Sequence, residues 1–431
     1  MIKLNSTKII LGSFFITIII GTFLLSLPFS SQDGTSTDLL NCLFTATSSL
    51  CVTGLVVVDT ATHWSFFGQF VILLLIQIGG LGVIVVTSLI SIFLGQKISF
   101  WQRTTLQEAL SVQKVGGIIK LTRFVLRLVV MFELSGAFLL FFRFIKDFDF
   151  PTAVWYSLFH SISAFCNAGF DLFGTSSFIP FKNDIYINIV VISLMLLGGI
   201  GFFVIEDLIK CFKKKSILHM EFHTKIILIA TLVIYTLSVI LIKIAEPSLS
   251  ILQTLFTAAT CRTTGFSTVN LGETSSMLKL ILSILMMIGG APGSTSGGIR
   301  ITSIAVVILI MKSVFENKKD VICFYKKIDD NTIKQAITNI FLSITIVFVG
   351  ILLFARIQDI SLVDNIFMCV SSFSATGLNV FSPSILNTIA KFILMTLMFI
   401  GRVGPISIVS VFILNKTENK NVEYVSGKLI L

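Results

Sequence analysis

Thr45 to Leu55 reads TATSSLCVTGL, a mildly apolar stretch rich in small hydroxyl residues and ending just past a glycine. The chain repeats this plan: LFHSISAFCNAGF at 158–170, LFTAATCRTTGF at 255–266 and IFMCVSSFSATGL at 366–378. Each copy opens on an apolar–Phe pair: Leu43-Phe44, Leu158-Phe159, Leu255-Phe256 or Ile366-Phe367. Each closes on a glycine followed by Leu or Phe: Gly54, Gly169, Gly265 or Gly377. The glycines recur at roughly a quarter of the chain length, and a fixed period is a fold signal. The period exceeds that of solenoid repeats, so the unit is a small module.

Composition sets the class. Of the 431 residues, 55% are hydrophobic and 13% charged, with a mean hydropathy of +0.97. A soluble domain carries about 25% charged residues. Several stretches exceed the roughly 18 apolar residues that mark a membrane span. The net charge of +10 comes from basic residues clustered between apolar runs, which favours membrane topology over nucleic acid. Seven cysteines without CxxC pairs argue against a disulfide framework or a zinc site. Met1 to Pro28 has a longer apolar run than a signal peptide and no clear cleavage site, so it reads as a first span.

The fold class expected is all-α integral membrane. Module one (1–95) has a span, M1, at 7–28, a half-helix at 36–50 with Thr37 and Asp38 as caps, a loop from Cys51 to Asp59, and a second span, M2, at 66–94 broken at Ile78-Gly79-Gly80-Leu81-Gly82. Residues 95–120 form a polar connector. Module two (96–210) has M1 at 121–146, the half-helix at 151–165, the loop at 166–173 and M2 at 185–209. Module three (211–312) has M1 at 223–245, a half-helix after Pro247, a loop at 261–268, and an M2 from Met277 interrupted by a Gly/Ser/Thr run. Module four (313–415) has M1 at 333–356, the half-helix at 361–373, the loop at 374–381, and M2 at 388–414. A tail at 416–431 follows. Three Lys/Arg-bearing linkers and two basic termini go to the cytoplasm by the positive-inside rule, with all four half-helices outside. Two crossings per module return the chain to its starting side.

Short helices followed by extended loops need a reason. Irregular backbone at membrane depth is tolerated when it is buried in protein or lines a water-filled cavity. Four such loops around one axis supply rings of carbonyls that replace the water shell of a monovalent cation. Glycine reaches the dihedrals this needs without steric cost. Half-helix C-terminal ends aimed at the axis favour a cation. Small-residue, glycine-ended motifs also mediate helix packing. Four copies, each between two spans and on one side, favour the pore.

The loops Val52-Thr53-Gly54-Leu55, Asn167-Ala168-Gly169-Phe170, Thr263-Thr264-Gly265-Phe266 and Ala375-Thr376-Gly377-Leu378 resemble the filters of the potassium-transporter superfamily that includes Trk, Ktr and plant HKT proteins. The resemblance covers nearly the whole chain. It implies four M1–P–M2 repeats (span, pore half-helix with filter loop, span) around one pseudo-fourfold pore, with potassium held at filter carbonyls. The run Gly290-Ala291-Pro292-Gly293-Ser294-Thr295-Ser296-Gly297-Gly298 looks like the family's intramembrane gating loop, and Arg402 falls where the family has a pore-facing arginine. The chain starts directly at M1 of module one, so it looks most like the membrane subunit of a bacterial Ktr system. The resemblance then implies a homodimer in the bacterial cell membrane on a cytoplasmic ring of nucleotide-binding regulatory subunits, often with sodium-promoted transport. No organic cofactor is expected in this chain. Glycine at all four filter positions resembles the potassium-selective pattern; in some plant relatives serine replaces the first glycine and sodium permeates.

Other residues keep two readings. Pro292 breaks the third M2, which reads as a gate beneath the filter or as a packing kink. GxxxxGK[ST] is missing, so a phosphate loop fits poorly. Arg402 replaces a glycine of modules one and two, and an arginine in a span usually faces the protein interior. At about 6 Å and an effective dielectric of 20 it would cost a potassium ion roughly 3 kcal/mol; a structural salt bridge is the other reading. Arg262 is expected to pack behind the third loop with an acid, and Glu133 to bond a neighbouring half-helix. Asp59 and Asp171 either concentrate cations at the mouth or are solvated acids. His219 and His223 read as interfacial rather than metal-binding. Rival functions are a cation-coupled secondary transporter, for which inverted repeats would be usual, a sodium-permeable relative, and an intramembrane enzyme, for which no catalytic cluster is seen.

Overall fold

The computed structural model describes residues 6–83, 85–86, 88, 106, 118–215 and 220–412. Four long apolar helices set the frame: α1 (Ser6–Ser26), α4 (Ile118–Phe144), α8 (Phe222–Ala245) and α12 (Asp330–Ile357). Each leaves an apolar face uncovered, for example Phe15, Ile19 and Phe23 on α1, or Phe341, Ile344 and Phe348 on α12. Such faces suit lipid, where the helix satisfies its own backbone groups.

After each long helix comes a short one: α2 (Leu39–Leu50), α5 (Phe150–Cys166), α9 (Ile251–Thr260) and α13 (Leu362–Ser374). These are buried along most of their length. Asp38 stands at the start of α2 but makes no side-chain cap bond, and the Thr37 hydroxyl instead meets His63 Nε2 at 2.9 Å. The expected Thr37–Asp38 cap is therefore corrected, because the loop at His63 packs back over this end.

The third helices are α3 (Phe66–Leu81), α6 (Ile185–Ile200), α10 (Ser276–Met287) and α14 (Thr388–Val403). Their caps Ser65, Asp184, Ser275 and Asn387 each accept a hydrogen bond from the backbone N–H three residues on. The next residue in register is always polar: Gln69, Asn188, Lys279 or Lys391. Gln69 Oε1 accepts from Trp155 Nε1 of α5 at 2.8 Å, Lys279 Nζ pairs with Asp364 of α13 at 3.0 Å, and Lys391 Nζ donates to Asn41 of α2 at 3.2 Å. Each thus grips the short helix of the following segment, and Lys391 joins the end of the chain to its beginning. Asn188 turns back to Phe181 and Asp184 carbonyls instead.

The third helices cover the first part of each expected M2 span. Among the described residues four helices are long and apolar enough to cross a membrane, or five if the bent pair α6 and α7 (Phe202–Lys213), kinked by 99°, counts as one span. Near the C-terminus of α3, α6 and α14 a glycine, Gly79, Gly198 or Gly401, packs on a carbonyl of a short helix. After it the chain turns, at Gly82, Gly201 and Gly404, all with φ near +90 to +97°, and α15 (Pro405–Phe412) continues after the last. The third segment is interrupted for longer, between α10 and α11 (Ile301–Phe315). A two-stranded hairpin, β1 (Ile322–Cys323) with β2 (Lys326–Lys327), links α11 to α12. The connector at 95–120, apart from Leu106 and the start of α4, and the tail at 416–431 lie outside the described residues, as does His219.

Candidate functional site

The hydroxyl residues of the repeated stretches act on the loops that follow them. Ser163 donates to Phe170 O at 2.6 Å, Thr260 to Phe266 O at 2.8 Å and Ser371 to Leu378 O at 2.6 Å. Each ties a short helix to the residue just past the glycine of its loop. Ser48 holds the matching place in the first copy, where its hydroxyl makes no such bond.

The loops share one backbone pattern. Val52, Asn167, Thr263 and Ala375 are left-handed with φ of 58, 59, 76 and 54°, and two residues later Gly54, Gly169, Gly265 and Gly377 again have positive φ. A β-carbon at these glycines would strike the next loop. It would lie 2.4 Å from Ala168 O at Gly54, 2.2 Å from Thr264 O at Gly169, 2.3 Å from Thr376 O at Gly265 and 1.8 Å from Thr53 O at Gly377. The contacts run from each loop to the next and back to the first. The four loops therefore close a ring, and the middle residues Thr53, Ala168, Thr264 and Thr376 contribute its carbonyl contacts.

One glycine in each of α3, α6 and α14 seats this ring. A β-carbon on Gly79, Gly198 or Gly401 would fall 2.0, 1.9 or 1.6 Å from the carbonyls of Leu50, Phe165 and Phe373 at the ends of the short helices. In the third segment a β-carbon on Gly289 would instead fall 2.0 Å from Gly297 O. Residues 290–298 have taken that place. The loop docks on the second segment: Ala291 N–H donates to Gly199 O at 3.0 Å, and Thr295 Oγ1 donates to Phe165 O at 3.3 Å and Gly198 O at 3.2 Å. Its far end, Gly297 and Gly298, lies against Ser374 and Ala375.

Arg402 stands in the register of Gly80, Gly199 and Gly290. Its guanidinium donates to the carbonyls of Thr295 and Gly79, with Gly80 O at 3.5 Å. No carboxylate pairs with it among the described residues, so the salt-bridge reading does not hold. It ties the loop at 290–298 to α3. Arg300, which the sequence reading passed over, donates to Ser296 O at 2.6 Å. Both arginines line a cavity of about 520 Å³, together with Gly79 to Val83 and Ser294.

On the other side of the ring lies a cavity of about 320 Å³, lined by the four loop glycines, Asp59 and Asp171. Burial pushes the Asp171 carboxyl up to about 7, Asp59 adding to the effect and bonds from Phe173 N–H and the Ser177 hydroxyl opposing it. His160, also missed from sequence, accepts from Leu172 N–H at 3.1 Å through Nε2 while Nδ1 faces Tyr156 O at 2.6 Å. It fixes the segment leaving the second loop.

Two buried ionisable side chains sit behind the ring. Glu133 accepts from Gln77 Nε2 at 3.0 Å and from Cys166 Sγ at 3.6 Å, where Cys166 ends α5. Arg262 is buried, with Thr231 Oγ1 at 3.5 Å and no acid paired to it among the described residues, which corrects the acid partner expected for it. No group of three or more metal-ligating side chains occurs among the described residues.

Comparison with known proteins agrees with this architecture. The family described as TrkH: Cation transport protein matches residues 3–424. The chain is 34% identical to the Potassium/sodium uptake protein NtpJ of Enterococcus hirae, covering 100% of this chain and 98% of that protein. It is 35% identical to the Ktr system potassium uptake protein B of Bacillus subtilis, over 99% of this chain and 97% of that one. The potassium transporter TrkH from Vibrio parahaemolyticus superposes with a TM-score of 0.73 at 16% identity, covering 96% of this chain and 86% of that chain, and so shares the fold. With its apolar crossing helices and these relatives, the chain belongs to the TrkH family of membrane cation transport proteins, as a Ktr-type membrane subunit.

Proposed function

We propose that this chain is the potassium-translocating subunit of a Ktr-type uptake system. The observation that carries the proposal is the closed ring of four glycine loops. Left-handed residues alternate with others along each loop, a geometry that turns successive carbonyls to one side, where they replace the water shell of potassium. In this reading Val52, Thr53, Gly54 and their counterparts in the other loops form the filter. Four M1–P–M2 modules, divided near residues 95, 210 and 312, surround one pseudo-fourfold pore. Ions move down their electrochemical gradient. Residues 290–298 and Arg402 close the path beneath the filter. The basic linkers put both termini in the cytoplasm of a bacterium. A homodimer on a nucleotide-binding ring, with sodium stimulation, fits the Ktr relatives.

The test is rubidium uptake into liposomes holding the purified chain, driven by a potassium gradient, with external sodium or potassium as competitor. Potassium should block uptake far better than sodium. The name of the Enterococcus relative, a potassium/sodium uptake protein, favours a second reading in which sodium also passes; equal competition by the two ions would establish it. Absence of uptake even after removal of the loop would overturn the pore.

A further inference from the structure

The left-handed residue of each loop is the C-cap of its short helix or lies within two residues of it. In three loops it is Val52, Thr263 or Ala375; in the second it is an asparagine, Asn167, with its amide wholly buried. The Asn167 amide lies 3.2 Å from Ser296 Oγ of the 290–298 loop and 3.1 Å from Thr264 Oγ1 of the third ring loop. Turning the amide end for end keeps both partners and adds the Met195 and Ala164 carbonyls at 3.1 and 3.0 Å. One side chain thus touches two loops of the ring and the loop beneath it. Ser296 and Thr264 are as buried as the amide, so water does not replace these bonds easily.

We propose that Asn167 couples the lower loop to the ring, so that potassium in the ring and the seated loop favour each other. This rests on the reading of the ring as a filter and of 290–298 as its gate. An ion that fills the ring fixes the backbone at Asn167 and keeps its amide aimed at Ser296. A smaller ion that fits the carbonyls less well leaves the amide freer and the loop easier to unseat. Linkage makes the effect reciprocal: unseating the loop weakens the preference for the fitting ion.

The experiment uses the full chain in lipid nanodiscs. Cys323 is replaced by Ser, since the other cysteines are buried, and a reporter thiol is placed by Ser294→Cys on the cavity wall. A charged thiol reagent is applied in potassium or in sodium. Labelling should be about fivefold slower in potassium, the size of one neutral hydrogen bond. Asn167→Ala and Ser296→Ala should each abolish the difference between ions. Alanine is tolerated in the left-handed conformation at this register, as Ala375 does so with φ of 54°, and Ser296→Ala leaves the ring side chains intact should Asn167→Ala fail to fold. Ion-independent labelling of the Asn167 chain, or an ion difference that survives Ser296→Ala, overturns the coupling. Rubidium uptake by a chain lacking 293–298 is measured alongside. If that uptake is raised while labelling ignores the ion, the coupling falls and the pore stands; if no uptake occurs, both fall.

Discussion

At Gly54 the chain has no room for a side chain. Its φ of +90° is strained for any other residue, and a β-carbon would press to 2.4 Å from Ala168 O. Gly54→Ser should therefore displace one carbonyl of the ring and reduce discrimination against sodium, read as a fall in the potassium-to-sodium competition ratio for rubidium uptake. An unchanged ratio would mean that this position does not set selectivity. Arg402 combines a charge with a tether. Arg402→Ala removes both the electrostatic cost, roughly 3 kcal/mol at about 6 Å and a dielectric of 20, and the bonds that hold Thr295 to α3. Initial rubidium uptake should rise at least severalfold; a fall together with poor expression would mark a folding role. Asp171 gives a pH dependence. With its carboxyl pushed up to about 7, it is neutral in acid and gains its charge as pH rises through that value. Uptake should climb across the same interval, and Asp171→Asn should flatten the profile.

The 290–298 stretch is an element defined by its surroundings. Pro292 and the glycines cannot continue a helix, and the Ala291 and Thr295 N–H groups donate to the Gly199 and Gly198 carbonyls while the Thr295 hydroxyl reaches Phe165 O. It fills the position that the other three segments give to the end of a short helix. Deleting residues 293–298 should leave the four-loop ring seated and raise leak flux. Constant leak with normal folding would favour a packing kink. The short helices are elements of the same kind: their hydroxyls at Ser163, Thr260 and Ser371 hold the loops that they lead into. A repeated Ser/Thr pattern in the sequence was the signal for this, but the partner carbonyl lies past the glycine and becomes adjacent only when the loop folds back.

Across the whole molecule, closure depends on contacts between the last segment and the first. Gly377 meets Thr53 O, and Lys391 reaches Asn41 near the start of α2. Lys391 is nearly buried, so Asn41→Ala leaves its ammonium without that oxygen. The expected loss is about 2 kcal/mol, the usual penalty for a buried charged group that loses a hydrogen bond. A thermal melt in detergent checks it; an unchanged midpoint would show that the ring closes without this contact. The apolar outer faces of α1, α4, α8 and α12 set the lipid boundary, while polar side chains of the third helices point inward to neighbouring short helices.

The sequence by itself determined the membrane class, the fourfold recurrence of short helix, loop and glycine, and the positions of the helix breaks. Those properties are local: hydropathy, hydroxyl clusters and glycine are written in consecutive residues. Arg402 was legible for the same reason, as a charge in an apolar run where glycine stood in the earlier repeats. Only the tertiary structure decided what each loop touches. The ring contact of Gly54 is with Ala168, that of Gly377 with Thr53, and the loop of the third segment lies under the second. It also gave Arg402 carbonyl partners, and paired neither Arg402 nor Arg262 with an acid among the described residues. Such pairings join residues far apart in the chain, and they are fixed by packing around a closed ring, which no stretch of sequence spells out.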